Sequence, residues 1–421
     1  MKYTLLAILL ILLRGTLFAQ EVKTDKLSPI EYFKKFQFQK ATDTLELKTY
    51  KTALDFFLLA KCYKRLGQVQ DASTAIDSAI ELDNSNVSFL NFLGEQQLRK
   101  GEKVAAYKSY LTLCQLQPNN AYYFKKIGQS LNNVFFTRIR EQQILFVNND
   151  SMPKKEKEKD LALEKFRALK LPSNTWQAYE MAIELNPNDI ESKLILTELY
   201  LKINNMRRAD PLNKQSLKMH PENSKFIMQA IKISYRLRDY QDVVEKSKLF
   251  YSKGGSKLEV QKLEGIAQYH LKSYKECIEL LSNVIEVEKD SEVLHYYLGL
   301  SYQEMGENQE AVKYLQKAIE LGITENIENY YTRLAVVYEE LGNFEKSIQL
   351  YKAAYAETKD KILLYHLARN YDTFYKDKNT ALKYYELYLE ELDSSNIEYM
   401  DYSKNRINEL KVEKHFNLDT L

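Results

Sequence analysis

The chain has 421 residues, 45% of them hydrophobic and 28% charged, with only 12 Gly and 7 Pro. So few chain breakers argue against short-stranded β architectures, and the dominance of Lys, Glu, Leu, Ala and Tyr suits helices. A net charge of +2, to which Lys2 and Arg14 of a removable leader contribute, leaves a near-neutral mature chain without the clustered basic face that nucleic acid requires.

Lys2 precedes the apolar run Tyr3 to Leu13, and Leu17, Phe18 and Ala19 lead into polar Gln20 and Glu21. A basic start, an apolar stretch of about 7–15 residues and a small exit residue describe a secretory signal peptide over residues 1–19. The run is too short to span a bilayer, which takes about 20 apolar residues. Cleavage is expected after Ala19, or after Gln20. Arg14 is an untypical charge ahead of that site, and an uncleaved anchor is the alternative. No cysteine follows the run, which disfavours a lipoprotein anchor, and no second apolar run of membrane length occurs. Export to the periplasm or medium is expected.

Residues 26–52 read as a helical N-terminal cap or partial repeat. From residue 53 a pattern recurs. The first unit has Leu59, Ala60, Tyr63, Gly67, Ala72, Ile76 and Ala79; the next has Leu93, Gly94, Gly101, Ala106, Tyr110 and Pro118. Ala121–Leu131 then reads as a first helix and Trp176–Leu185 as a second, with the pattern lapsing between. The region 121–188 is either two degenerate repeats or one repeat with an insertion at about 132–171, and the spacing from Pro118 to Pro187 favours the former. A unit with Leu196, Tyr200 and Ala209 follows, then two weaker ones with Ala230 and Tyr240 and with Gly265, Tyr274 and Cys277. The clearest unit, Val293–Ile323, has Leu298, Gly299, Tyr302, Gly306, Ala311, Leu315 and Ala318. After it come Leu334, Ala335, Tyr338, Gly342, Phe344, Tyr351 and Ala354, then Leu367, Ala368, Tyr371, Ala381 and Tyr385. The repeats are expected over 53–394. A capping helix and tail are expected over 395–421, with Tyr399, Ile407, Leu410 and Val412 on its inner face.

Large residues three and four apart mark the buried stripe of each helix, and small ones mark where two helices approach closely. Gly in the short turn supplies positive φ, and Pro stops the second helix. One such hairpin cannot bury its apolar face alone, so neighbours must stack. Pro187 and Pro221 stand one period of about 34 residues apart. In these residues the chain resembles the tetratricopeptide repeat family, as an exported bacterial-type member. The resemblance implies an all-α, right-handed superhelical solenoid of antiparallel helix pairs with helical caps.

The search for chemistry gives little. His220, His270, His295, His366 and His415 share no metal-ligand spacing, and no phosphate loop or nucleophile elbow occurs. Cys62, Cys114 and Cys277 are an odd, widely spaced set that fits buried side chains and no disulfide framework. Lysines of the run 154–160 alternate with acids, so a solvated face is expected. The reading is a non-enzymatic protein-binding scaffold in envelope assembly or regulation, with no catalytic, cofactor or metal residues. An adaptor held at a membrane by its N-terminus and an enzyme with its site near 132–171 are the alternatives.

The resemblance implies that first helices line a concave surface that takes extended peptides or helices. By phase, Tyr296, Leu300, Gln303, Glu304, Thr332, Val336, Glu339, Glu340, Tyr365, Arg369 and Asp372 face it. Aromatics beside carboxylates suit a basic or aromatic protein segment. One subfamily clamps acidic C-termini with Lys, Asn and Arg. The matching positions here are Phe57, Lys61, Asn91, Phe92, Tyr122 and Lys126, so that clamp is not assembled.

Overall fold

In a computed structural model, residues 27–131, 174–322, 326–391 and 399–418 are described; the expected signal peptide and the irregular segment 132–171 lie outside them. The described residues form 21 helices and no strand. They belong to two compact units, residues up to Leu196 and residues from Thr197 onward, with the helix Ile190–Lys202 spanning the division.

The unit up to Leu196 opens with helices Pro29–Lys34 and Phe38–Glu46, the first set by a capping box between Ser28 and Glu31. Ala41 and Leu45 are buried against the first repeat. Two helix pairs follow, Ala53–Leu66 with Val69–Leu82 and Val87–Lys100 with Lys103–Leu116. Thr52 starts the former with a second capping box, its hydroxyl accepting from the Asp55 amide. Gly67 and Gly101, at φ 78° and 76°, end the two first helices in the left-handed region. Within a pair the helices run antiparallel: Ser109 Oγ donates to Gln97 at 2.8 Å while Tyr110 OH donates to Glu95 at 3.2 Å.

Ala121–Leu131 pairs directly with Thr175–Leu185. A Cβ added at Gly128 would lie 2.7 Å from the Tyr179 ring, just as one at Gly94 would lie 2.9 Å from Tyr110. Ala178 and Ala182 share a core with Ile127 and Leu131. This is the packing of the first and second helix of a single repeat, so the expectation of two degenerate repeats is corrected in favour of one repeat whose helices are separated by a long segment. Chain spacing near two periods misled because the inserted length happens to approximate one repeat.

The unit from Thr197 contains Met206–Met219, with Pro211 inside it, and then five helix pairs. These are Ser224–Arg236 with Tyr240–Ser252, Leu258–His270 with Tyr274–Ile285, Glu292–Glu304 with Asn308–Leu321, Ile327–Glu340 with Phe344–Thr358, and Ile362–Phe374 with Asn379–Glu390. Each helix packs on the next, and the first helices of the first four pairs also touch one another in succession. The final helix, Met400–Leu418, lies on the last pair with Ile407 and Leu410 buried. Val412, expected on the inner face, is 54% exposed, because its place on the helix turns it away from the stripe of Ser403, Ile407 and Leu410.

The tyrosine surplus is partly a core feature. Tyr110, Tyr179, Tyr351, Tyr385 and Tyr388 are fully buried on second helices, where a flat ring fills the space beside a first helix. All three cysteines are buried and free, and burial pushes their thiols up, to about 11 for Cys62 and Cys277 and about 12 for Cys114.

Candidate functional site

Contacts between first helices, joined by Tyr240 and Tyr274 at the starts of two second helices, gather one feature that composition only hinted at. Tyr240 stacks on His270 at 4.2 Å and 9°. Tyr269 meets His270 at 5.4 Å, Tyr274 at 5.8 Å and Tyr297 at 5.3 Å. The His270 Nε2 and the Tyr297 hydroxyl lie 3.3 Å apart. Tyr297 meets Tyr296 at 5.7 Å, and Tyr296 meets Tyr330 at 4.7 Å. An unbroken aromatic strip thus crosses four helix pairs, with most of its rings half-buried and His270 exposed.

The environment of the strip keeps it neutral. Burial raises the Tyr269 hydroxyl to about 12 and also raises Tyr296 and Tyr297, against the opposing charge of Arg333 at Tyr269 and Tyr296. Burial and then Arg238 hold His270 below its ordinary range, so it is uncharged at neutral pH. Polar side chains edge the strip. Tyr274 OH donates to Glu304 at 3.2 Å, and Gln303 Nε2 donates to Glu340 at 2.9 Å, joining two consecutive first helices. Such a surface offers large, rigid contact area with a few fixed acceptors, suited to an aromatic or apolar chain segment.

The residues expected on this face divide into two groups. Tyr296, Gln303, Glu304 and Glu340 lie on or beside the strip, with Glu304 and Glu340 exposed. Thr332 and Val336 are half-buried, and Val336 packs on the core around Ala335 and Ile348. Glu339 is engaged internally, accepting from Asn370 at 2.5 Å and Ser347 at 3.4 Å. Arg369 is exposed, its guanidinium 5.9 Å from the Tyr365 ring.

Three expectations are corrected. Leu300 is 4% exposed and belongs to the buried side of the helix Glu292–Glu304 with Leu294, Leu298 and Ser301, so it offers a partner no surface. Tyr365, also 4% exposed, is covered by the C-terminal helix and stacks on Tyr399 at 4.2 Å. Asp372 is taken by Arg406 of that helix, which donates from Nε at 2.7 Å and from Nη2 at 3.1 Å. Burial alone would raise the Asp372 carboxyl, but Arg406 and then Lys378 outweigh it and hold the group below the ordinary carboxylate range.

Sequence phase alone missed Tyr240, Tyr269, His270, Tyr274, Tyr297 and the exposed Arg333. They fall in the weaker repeats or on positions adjacent to the expected face. The available signal was the surplus of 32 tyrosines, many of them on first helices.

The early positions compared with an acidic-terminus clamp form a different arrangement. Lys61 Nζ lies 4.2 Å over the Phe57 ring, and Phe57 and Phe92 meet at 5.7 Å. Lys126 pairs with Glu95 at 2.7 Å, and the Tyr122 hydroxyl donates to the same carboxylate at 2.5 Å. Asn91 is half-buried, with its Oδ1 unpartnered.

Histidines elsewhere have packing roles: His295 is buried with Nδ1 3.0 Å from the Ser291 carbonyl, and His366 stacks on Tyr351. Among the described residues no group of three or more His, Cys, Asp or Glu is placed to hold a metal ion. Nor is any described helix long and apolar enough to cross a membrane.

Residues 57–121 and 290–359 match family models described as tetratricopeptide repeat. A TPR repeat-containing protein of Methanocaldococcus jannaschii is 21% identical over 350 residues, 82% of this chain and 52% of that protein. The chain thus spans about half the length of the curated relative it matches. Among solved structures, Pseudomonas aeruginosa pilF is 18% identical with a TM-score of 0.41, covering 51% of this chain and 96% of that one. Yeast Tom70 is 15% identical with a TM-score of 0.36, covering 92% and 95%.

Proposed function

We propose that this chain, a protein of the tetratricopeptide repeat family, is an exported scaffold that binds a segment of another protein along the first helices of its second unit. The observation that carries this reading is the aromatic strip from Tyr240 to Tyr297, half-buried, seated on the buried Tyr330 and flanked by the exposed carboxylates of Glu304 and Glu340. A folded core has no need of an aromatic surface that continues from helix to helix in partial contact with water, whereas a partner's apolar side chains would complete its burial. The partner segment is aromatic or apolar, with basic residues opposite Glu304 and Glu340 and an acidic or polar residue opposite Arg333, whose charge reaches Tyr269 and Tyr296.

The role is binding without turnover, in assembly or regulation of an envelope complex. Export rests on Lys2, the apolar run to Leu13 and the exit at Ala19. N-terminal sequencing of the exported protein is expected to begin at Gln20 or Glu21, and a chain still beginning at Met1 would contradict export by cleavage. Binding is tested by recovery of the native partner with the double variant Glu304→Lys, Glu340→Lys. Each reversal at the edge of the strip is expected to weaken binding about tenfold or more. Unchanged recovery would remove this surface from the account.

A further inference from the structure

The unit up to Leu196 carries a second surface whose charge is of the opposite sign. On the helix Ala53–Leu66, Leu54, Phe57, Lys61, Lys64 and Arg65 recur at the spacing of one helical face. On Val87–Lys100, Phe92, Glu95 and Arg99 do the same, and Ala121–Leu131 adds Tyr122 and Lys126. Side-chain contacts place these faces beside one another. Phe57 meets Phe89 at 4.8 Å and Phe92 at 5.7 Å, making an aromatic floor across the first two helices. Two ammonium groups rest on it: Lys61 Nζ is 4.2 Å from the Phe57 centroid and Lys64 Nζ 4.7 Å from that of Phe92. Lys126, Tyr122 and Glu95 tie the second helix to the third.

The charges here do not balance. Lys61, Lys64, Arg65 and Arg99 make no ion pair among the described residues. The one acid within the strip, Glu95, is already engaged by Lys126, Tyr122 and Tyr110. Lys64 shows the effect: burial first, then Arg99 and Arg65 against the opposing pull of Glu95, hold its ammonium below the ordinary lysine range. Apolar groups also stand open at the border, with Leu54 68% and Tyr122 41% exposed. Cations crowded over rings, with an exposed leucine beside them, fit an anionic chain that also carries apolar side chains.

We infer that this face binds an acidic segment of a protein partner, its side-chain carboxylates meeting Lys61, Lys64, Arg65 and Arg99 and its apolar residues lying between Leu54 and Phe57. The recognised groups are internal carboxylates, because four cations spread over two helices exceed what the single charge of a chain terminus can meet. A membrane surface is the poorer occupant, because two of the ammonium groups lie down on rings within the face, whereas lipid headgroups are met by lysines that project from it. A nucleic acid is disfavoured by the whole chain's charge, 60 Lys and Arg against 58 Asp and Glu. The surface lies in the other unit from the aromatic strip, so the protein would hold two dissimilar segments.

The test uses the mature full chain and a fluorescent, acetylated and amidated peptide of alternating glutamate and leucine. Anisotropy is expected to show saturable binding that weakens as salt is raised. The same peptide with glutamine for glutamate is expected to bind at least about tenfold more weakly, and Lys64→Glu or Arg99→Glu to cause a loss of similar size. Lys61→Gln gives a neutral check, with circular dichroism confirming that each variant folds. Glu304→Lys with Glu340→Lys is expected to leave this binding unchanged, which separates it from the partner site of the second unit. Equal affinity for both peptides, indifference to the two reversals, or tighter binding to phosphatidylserine vesicles than to the peptide would overturn the inference.

Discussion

At the scale of single residues, the repeat is held by two backbone demands. The first is close approach: a Cβ at Gly299 would lie 2.7 Å from Leu315 Cγ and 3.2 Å from its backbone nitrogen. Gly299→Ala is therefore expected to destabilise the second unit by about 1–3 kcal/mol, because the facing helix must shift. A lowered thermal midpoint measures this, and an unchanged one would contradict the packing argument. The second demand is a left-handed residue after the first helix. Glycine meets it at Gly67, Gly101, Gly306 and Gly342, while Asn204, Arg238 and Lys272 adopt the same conformation at φ 55°, 60° and 62°. Lys272→Gly relieves strain of about 1–2 kcal/mol, partly offset by the greater freedom of glycine in the unfolded chain, so a modest rise in the thermal midpoint is expected. These residues also show what was legible. Where the turn holds glycine, the repeat could be read directly. Where Arg238 or Lys272 fills it, the backbone conformation is set by packing on both sides and leaves no letter in the sequence.

At the scale of elements, the C-terminal helix has the clearest consequences. Its inner residues Ile407 and Leu410 were legible from helical periodicity, but its effect on the preceding face was not. Tyr365 and Asp372 occupy the phase of the expected groove, yet the helix covers one and pairs with the other. Only knowledge of where a separate element docks could have removed them from the candidate surface. The pairing also makes docking depend on pH. The folded Asp372 carboxyl is held below its ordinary value of 3.8, so its stabilising contribution is complete above that value and is lost as pH falls through the folded pKa. Hydrogen exchange in residues 400–410 is expected to accelerate over that acid range before exchange in the neighbouring helix Ile362–Phe374 does. Asp372→Asn is expected to loosen the same residues at neutral pH by about 1.5–3 kcal/mol, the worth of hydrogen bonds to a charged group. Equal protection in the variant and the parent would show that apolar contacts alone hold the helix. The pair Ala121–Leu131 and Thr175–Leu185 gives the complementary lesson: each helix was legible, but only the contact of Gly128 with Tyr179 shows that they are partners.

At the scale of the whole molecule, stacked helix pairs leave their second helices to supply much of the core and their first helices to supply partly open faces. The fold class followed from a period repeated along the chain, which many residues specify together. The binding surface follows from side chains that the repeat leaves free to vary, so the period locates a face without naming its ligand. Tyr297 and His270 lie outside the phase that the best repeats suggested, and their strip is visible only once consecutive first helices are laid side by side.

The central claim is that a protein partner lies along the aromatic strip of the second unit. Site-specific photo-crosslinking in the native cell tests it most directly, with a benzophenone side chain placed at Gln303 beside the strip or at exposed Lys317 on a second helix. The account predicts one discrete crosslinked protein from Gln303, lost in the Glu304→Lys, Glu340→Lys background, and none from Lys317. Crosslinking from Lys317 alone, or from Gln303 with no sensitivity to the two reversals, would contradict it.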